Sequence, residues 1–173
     1  MSAATVIRPA TPDDALSLWQ LKRALGVESR FLRLSPAEEL MSVADYAAAL
    51  GGGAAGASRL VIVGEIDGDL VACLEAELAD PAGVVTKVRV GVLSTCSDMG
   101  VGGALLAEME RWALDRRAVR IEITVTAENT RALSMYERRG YAIESQGDGV
   151  IHGSDEIAPE YHMAKALGVP AAI

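Results

Sequence analysis

Two segments of this 173-residue chain carry residue types and spacings that can do chemistry. The first is Val90-Gly91-Val92-Leu93-Ser94-Thr95-Cys96-Ser97-Asp98-Met99-Gly100-Val101-Gly102-Gly103. It reads as a strand, a tight glycine turn and the start of a helix. Free backbone N–H groups at a helix start can hold an anionic group, and glycines let that group come close. The second runs from Asn129 to Tyr141. It sets Asn129 and Tyr136 about two helical turns apart, so that a phenolic proton donor would face whatever the first segment holds.

Two familiar glycine loops do not fit. A dinucleotide loop, G-x-G-x-x-G, needs a glycine where Leu105 stands. A P-loop needs Lys and then Ser or Thr where Gly103 and Ala104 stand. A plain strand-to-helix turn and an anion cradle remain as readings of this segment. Tyr136 has two readings as well: a proton donor, or an amphipathic ring in the core with its hydroxyl at the surface.

The surrounding pattern supplies elements to position these residues. Thr5–Pro9 reads as a strand, and Thr11-Pro12-Asp13-Asp14 starts a helix. Ser35-Pro36-Ala37-Glu38 is a capping box opening a second helix, to about Leu50. Gly51–Ser58 is a connector. Leu60–Ile66, Leu70–Leu78 and Val84–Leu93 form an antiparallel meander through the turns Asp67-Gly68 and Asp80-Pro81-Ala82-Gly83. A third helix begins near Gly100, with Leu105, Leu106, Met109, Trp112 and Ala113 on one face. Arg120–Thr126 alternates as a half-buried strand. A fourth helix is capped at Asn129 or Thr130 and stops at Gly140, and strands follow at Tyr141–Glu144 and Tyr161–Leu167. The strand–helix–strand unit around the third helix joins parallel strands. A mixed, mostly antiparallel sheet of six to seven strands with about four helices on both faces is expected, as one α/β domain over residues 1–173.

Composition sets limits. Aromatics make up 4%, so the core is aliphatic, and the net charge of -8 argues against nucleic acid as partner. No apolar run is long enough for a membrane span, and the first five residues lack signal-peptide character. Cys73, Cys96, His152 and His162 show no metal-ligand spacing, so no metal is expected. Two cysteines, with Cys73 in an apolar run, suit a reducing, cytoplasmic setting.

Asn129, Ala132, Tyr136, Gly140 and Tyr141 resemble the N-x-x-A-x-x-x-Y-x-x-x-G-[FY] signature of the GCN5-related N-acetyltransferase (GNAT) family. With the glycine turn and the element order, the resemblance extends over nearly the whole chain, and Tyr161–Leu167 looks like the family's last strand. It implies acetyl-CoA as co-substrate in a gap between the two parallel strands. The pantetheine arm would pair with the backbone of Val90, Gly91 and Val92. The pyrophosphate would sit on Ser97, Asp98, Met99, Gly100, Val101 and Gly102, with Gly103 following. Asn129 would lie beside the arm, and Tyr136 would protonate the departing thiolate. A strand N–H would stabilise the carbonyl oxygen.

The family's usual R/Q-x-x-G-x-G/A appears here as Ser97-Asp98-Met99-Gly100-Val101-Gly102. A lost charge-assisted hydrogen bond costs about 1.5–3 kcal/mol, or about ten- to a hundred-fold in affinity. Asp98 adds a repelling carboxylate unless it turns outward. Arg131 is either a replacement charge or a solvated surface residue. A glutamate that often serves as base, five positions before the Asn, is here Thr124, which leaves Glu75, Glu77, His162 or water. The resemblance implies acetyl transfer to a primary amine of a small molecule or peptide by direct attack, and is compatible with a homodimer. The alternative is a degenerate relative that binds CoA weakly or not at all and serves as a ligand-binding or interaction module.

Overall fold

The computed structural model describes residues 4–52, 58–79 and 82–168. Strand β1 (Thr5–Pro9) leads through a 3-10 turn into α1 (Ala15–Glu28). Next come α2 (Pro36–Leu40), α3 (Val43–Gly51), β2 (Arg59–Ile66), β3 (Asp69–Ala79) and β4 (Val84–Val92). The chain continues through α4 (Val101–Asp115), β5 (Arg120–Thr126), α5 (Thr130–Arg138), β6 (Ala142–Val150) and β7 (Ile157–Ala166). The strands form a seven-stranded sheet in the order β1-β2-β3-β4-β5-β7-β6. β4 and β5 are parallel, and the other neighbours are antiparallel.

The period-2 alternation of the strands divides the apolar residues between two layers. Ile62, Leu74, Val85, Ile121, Ile123 and Met163 meet Leu105, Leu106, Met109 and Trp112 of α4. Val63 and Cys73 face the opposite side and meet Leu18, Leu21 and Leu25 of α1 and Tyr46 of α3. Burial pushes the Cys73 thiol up to about 12, which keeps it an unreactive packing group.

Three expectations need correction. The helix expected from Ser35 to Leu50 is two helices, which makes five α-helices among the described residues. Ser42 accepts a hydrogen bond from the Asp45 N–H and starts α3 afresh after Met41. The strand expected at Tyr141–Glu144 begins at Ala142 and runs on to Val150, and the last strand starts earlier, at Ile157. Their long mutual pairing overrides the strand-breaking glycines and acids of this stretch. Residues 53–57 of the glycine connector and 80–81 of the turn lie outside the described residues. Among the described residues, no helix is long and apolar enough to cross a membrane.

The feature that positions the site is the β4–β5 pair. Only Val84↔Arg120 and Val85↔Ile121 are in register. Just beyond them β4 is bulged, because Thr86 pairs with Glu77 and Arg89 with Glu75. Lys87 takes a left-handed φ of 52° there. A bulge bends its strand and sharpens the local twist, so β4 swings away from β5 and the sheet opens.

Candidate active site

Two hollows occupy the opening, of about 650 and 490 Å³. They share Phe31, Leu32, Val90, Asn129 and Ala132, and so adjoin each other. The smaller is walled by Val90, Val92, Ser97, Gly100, Gly102 and Gly103 on one side, and on the other by Arg131, Met135 and Arg138 of α5 and by Arg139 just after it. The larger holds Tyr136, Thr124, Glu122, Arg89, His152 and Glu160 among its walls.

The glycine turn is shaped by close approach. Gly100 takes a left-handed φ of 76° as the N-cap of α4, without a side-chain cap. Ala104 is the first α4 residue to donate back, 3.1 Å to the Gly100 carbonyl, so the N–H groups of Val101, Gly102 and Gly103 have no helical partner. A Cβ on Gly102 would come within 2.7 Å of Met135 Sδ, whereas one on Gly103 would meet open space. Such a cradle of free amides with open access fits a diphosphate.

The residues singled out in this segment divide by where their side chains go. Val90, Val92, Ser97, Gly100, Gly102 and Gly103 border the hollow. Val101 is buried in the core at 1% exposure. Gly91 faces α1, where a Cβ would come within 2.7 Å of Leu25 Cδ1. Met99 is exposed. The Ser97 hydroxyl donates 2.6 Å to the Ser94 carbonyl, within its own turn. The Asp98 side chain is fully solvent-exposed and lies 3.6 Å from Arg131 Nη2. The carboxylate therefore turns outward, and Arg131, on the wall of the hollow, faces it.

Asn129 borders both hollows, and its Oδ1 accepts from the Ala132 N–H at 3.3 Å, capping α5. Two turns on, Tyr136 is 4% exposed and borders the larger hollow. Its ring meets Tyr141 edge-on, with centroids 5.9 Å apart. Tyr141 in turn donates to Glu110 Oε1 at 3.2 Å, and Lys165 Nζ lies 3.1 Å from the same oxygen. Arg139 also pairs with Glu110. This buried polar knot ties α5 to α4 and β7 and fixes the phenol. Burial pushes the Tyr136 phenol up, so it keeps its proton through the neutral range.

Over the larger hollow, the 3-10 turn Arg30–Leu32 and the turn after β6 form a roof. Arg30 pairs with both Glu128 and Glu156. Glu38 gathers Lys22 Nζ at 3.2 Å, Arg89 Nη1 at 3.1 Å, His152 Nε2 at 2.9 Å and the Ser35 N–H at 2.7 Å. Burial raises its carboxyl, but the Ser35 N–H, His152 and Lys22 outweigh burial and hold it well below the usual carboxylate range. Among the expected bases, Glu75 sits 3.0 Å from Lys22 Nζ and Glu77 2.7 Å from Lys87 Nζ. His162 Nδ1 lies 3.5 Å from Thr124 Oγ1. Arg30, His152, Glu160 and Arg139 carry no local motif, and the capping box that contains Glu38 gives no sign of its distant partners. They meet across long separations that no spacing displays.

Residues 27–141 match the family model described as the acetyltransferase (GNAT) family. This chain belongs to the GNAT family. The L-amino acid N-acetyltransferase AaaT of Escherichia coli (strain K12) is 31% identical over 110 residues, which cover 60% of this chain and 66% of that relative's length. The GNAT-family acetyltransferase of Streptococcus pneumoniae superposes with a TM-score of 0.84 at 20% identity, over 95% of this chain and all of that one. The PaiA N-acetyltransferase of Thermoplasma acidophilum, solved in complex with coenzyme A, gives 0.76 at 17%, over 95% and 99%. The seven-stranded mixed sheet is thus the GNAT fold.

Proposed function

We propose that this GNAT protein transfers the acetyl group of acetyl-CoA to a primary amine by direct attack, without an acyl-enzyme. The observation that carries this reading is the pair of adjoining hollows in the β4–β5 opening, with unpaired α4 amides on the wall of one and the buried Tyr136 phenol on the wall of the other. The co-substrate's diphosphate lies on the amides of Val101, Gly102 and Gly103, flanked by Ser97 and Met99. Its pantetheine arm runs along Val90 to Val92, past Asn129. The amine enters from the larger hollow and attacks the thioester carbon. The C–S bond breaks, and Tyr136 gives its proton to the sulfur. An N–H that the β4 bulge leaves unpaired stabilises the carbonyl oxygen. Proton transfers alone accompany the exchange of the C–S bond for a C–N bond, and we assign the reaction no metal.

The acceptor is a small-molecule amine, and an amino acid is the first class to try, because AaaT is by name an L-amino acid N-acetyltransferase. A peptide amine is the second. The two free thiols, Cys73 and Cys96, support a cytoplasmic setting. A homodimer belongs to the same reading. The test is thermal unfolding with acetyl-CoA, followed by thiol release over an amine panel. A ligand at about a hundred times its Kd adds about 2.7 kcal/mol. No shift at millimolar acetyl-CoA would overturn the proposal in favour of a module that has lost its co-substrate.

A further inference from the structure

Four carboxylates border the larger hollow: Glu75, Glu77, Glu122 and Glu160. Three already face a permanent cation. Glu75 has Lys22 at 3.0 Å, Glu77 has Lys87 at 2.7 Å and Glu122 has Arg120 at 2.8 Å. Glu160 differs. Among the described residues its one ionic partner is His162 Nε2, at 3.5 Å. It is nevertheless drawn inward, with its side chain only 20% exposed, although it stands on the hairpin whose outer strand β6 is exposed almost throughout. The sequence makes room for it. A Cβ built on Gly149 would overlap the Glu160 carboxylate, and Gly147, its partner across the β6–β7 ladder, also lacks a side chain. On the inner side Glu160 pairs with Thr126, at the end of β5 just before Asn129. A largely covered carboxylate with no Lys or Arg beside it among the described residues leaves its negative charge for an arriving ammonium group to pair with.

We propose that Glu160 receives the acceptor's ammonium group and takes its first proton. The assignment rests on the transferase reading above. The bared nitrogen lone pair forms the C–N bond as the C–S bond breaks. Of the two protons the ammonium nitrogen gives up in becoming an amide, one balances the proton Tyr136 hands to sulfur, and the other reaches solvent from Glu160. The charged groups that share its surroundings are His162 on its own strand, Glu122 on β5, His152 after β6 and the paired charges of β2–β4. Glu75, Glu77 and Glu122 are already held by Lys22, Lys87 and Arg120, whereas Glu160 faces no Lys or Arg among the described residues and is open to an incoming ammonium group.

The experiment compares wild type with Glu160→Gln on a panel of L-amino acids, a polyamine and a short peptide, with acetyl-CoA as donor. The variant is expected to keep the thermal shift given by acetyl-CoA, and to bind the best acceptor about ten-fold more weakly, by calorimetry with CoA present. It should lose about a hundred-fold in kcat/KM near neutral pH. That loss should shrink as pH approaches the amine's own pKa, where the acceptor arrives without its proton. Gly149→Ala, which pushes the carboxylate from its slot with its charge intact, should reproduce the loss should Glu160→Gln fail to fold. A loss equal at every pH, or wild-type turnover in both variants, overturns the assignment and leaves the transferase reading standing. A wild type that binds no acetyl-CoA, or acetylates nothing on the panel, overturns both.

Discussion

The two ends of the cleft are built from different materials. The α4 end is made of backbone: unpaired amides, a left-handed Gly100, and a Gly102 that lets α4 approach Met135. The end under the roof is made of charged side chains that converge from distant elements on Glu38 and Arg30. Backbone groups recognise what every member of a family shares, and they tolerate the change of a side chain such as Ser97. Side-chain networks are specific to one ligand and break when a single member is lost.

The sharpest way to break this contrast is at the phenol between the two ends. Tyr136→Phe is expected to lower kcat about a hundred-fold, or about 2.7 kcal/mol of transition-state stabilisation. The acetyl-CoA thermal shift should not change, and an unchanged kcat would remove the phenol from the mechanism. Gly102→Val attacks the backbone end by overpacking against Met135. It should cost about 1–3 kcal/mol of stability and weaken acetyl-CoA binding, measurable by calorimetry, with the acceptor KM near wild type. Glu38→Gln attacks the side-chain end and leaves Lys22, Arg89 and His152 without their common partner. It should cost about 1–3 kcal/mol and raise the acceptor KM alone.

The same glutamate predicts an acid response. Its folded pKa lies below its ordinary value. Its contribution is therefore complete above the ordinary carboxylate range and is lost as pH falls toward the folded pKa. Urea unfolding of wild type should show this acid loss, and of Glu38→Gln a smaller one. The smallest effect belongs to Asp98→Asn. The carboxylate is fully exposed and opposes only an exposed Arg131, so acetyl-CoA binding should tighten less than about ten-fold, and only at low salt.

Legibility followed the same division. Gly100, Gly102, Asn129 and Tyr136 stand within short stretches whose spacing shows in the sequence, as do the caps and alternating strands that place them. The split at Ser42 was hidden because the apolar pattern continues through it. The length of β6 was hidden because Gly147, Asp148 and Gly149 look like a turn, and only pairing with β7 makes them a strand. The Glu160 slot depends on that pairing, and the Glu38 cluster joins residues from Lys22 to His152. No local reading reaches either.

With two paired positions holding β4 to β5, the sheet is two smaller sheets, of four strands and three, sharing a seam. An arm of pantetheine running along β4 would stand where a strand's neighbour stands. The small molecule is then a removable piece of secondary structure. Amide hydrogens along the open stretch of β4 should exchange quickly in the free protein and slowly once the seam is filled. Hydrogen exchange would thus report occupancy directly, with no turnover required.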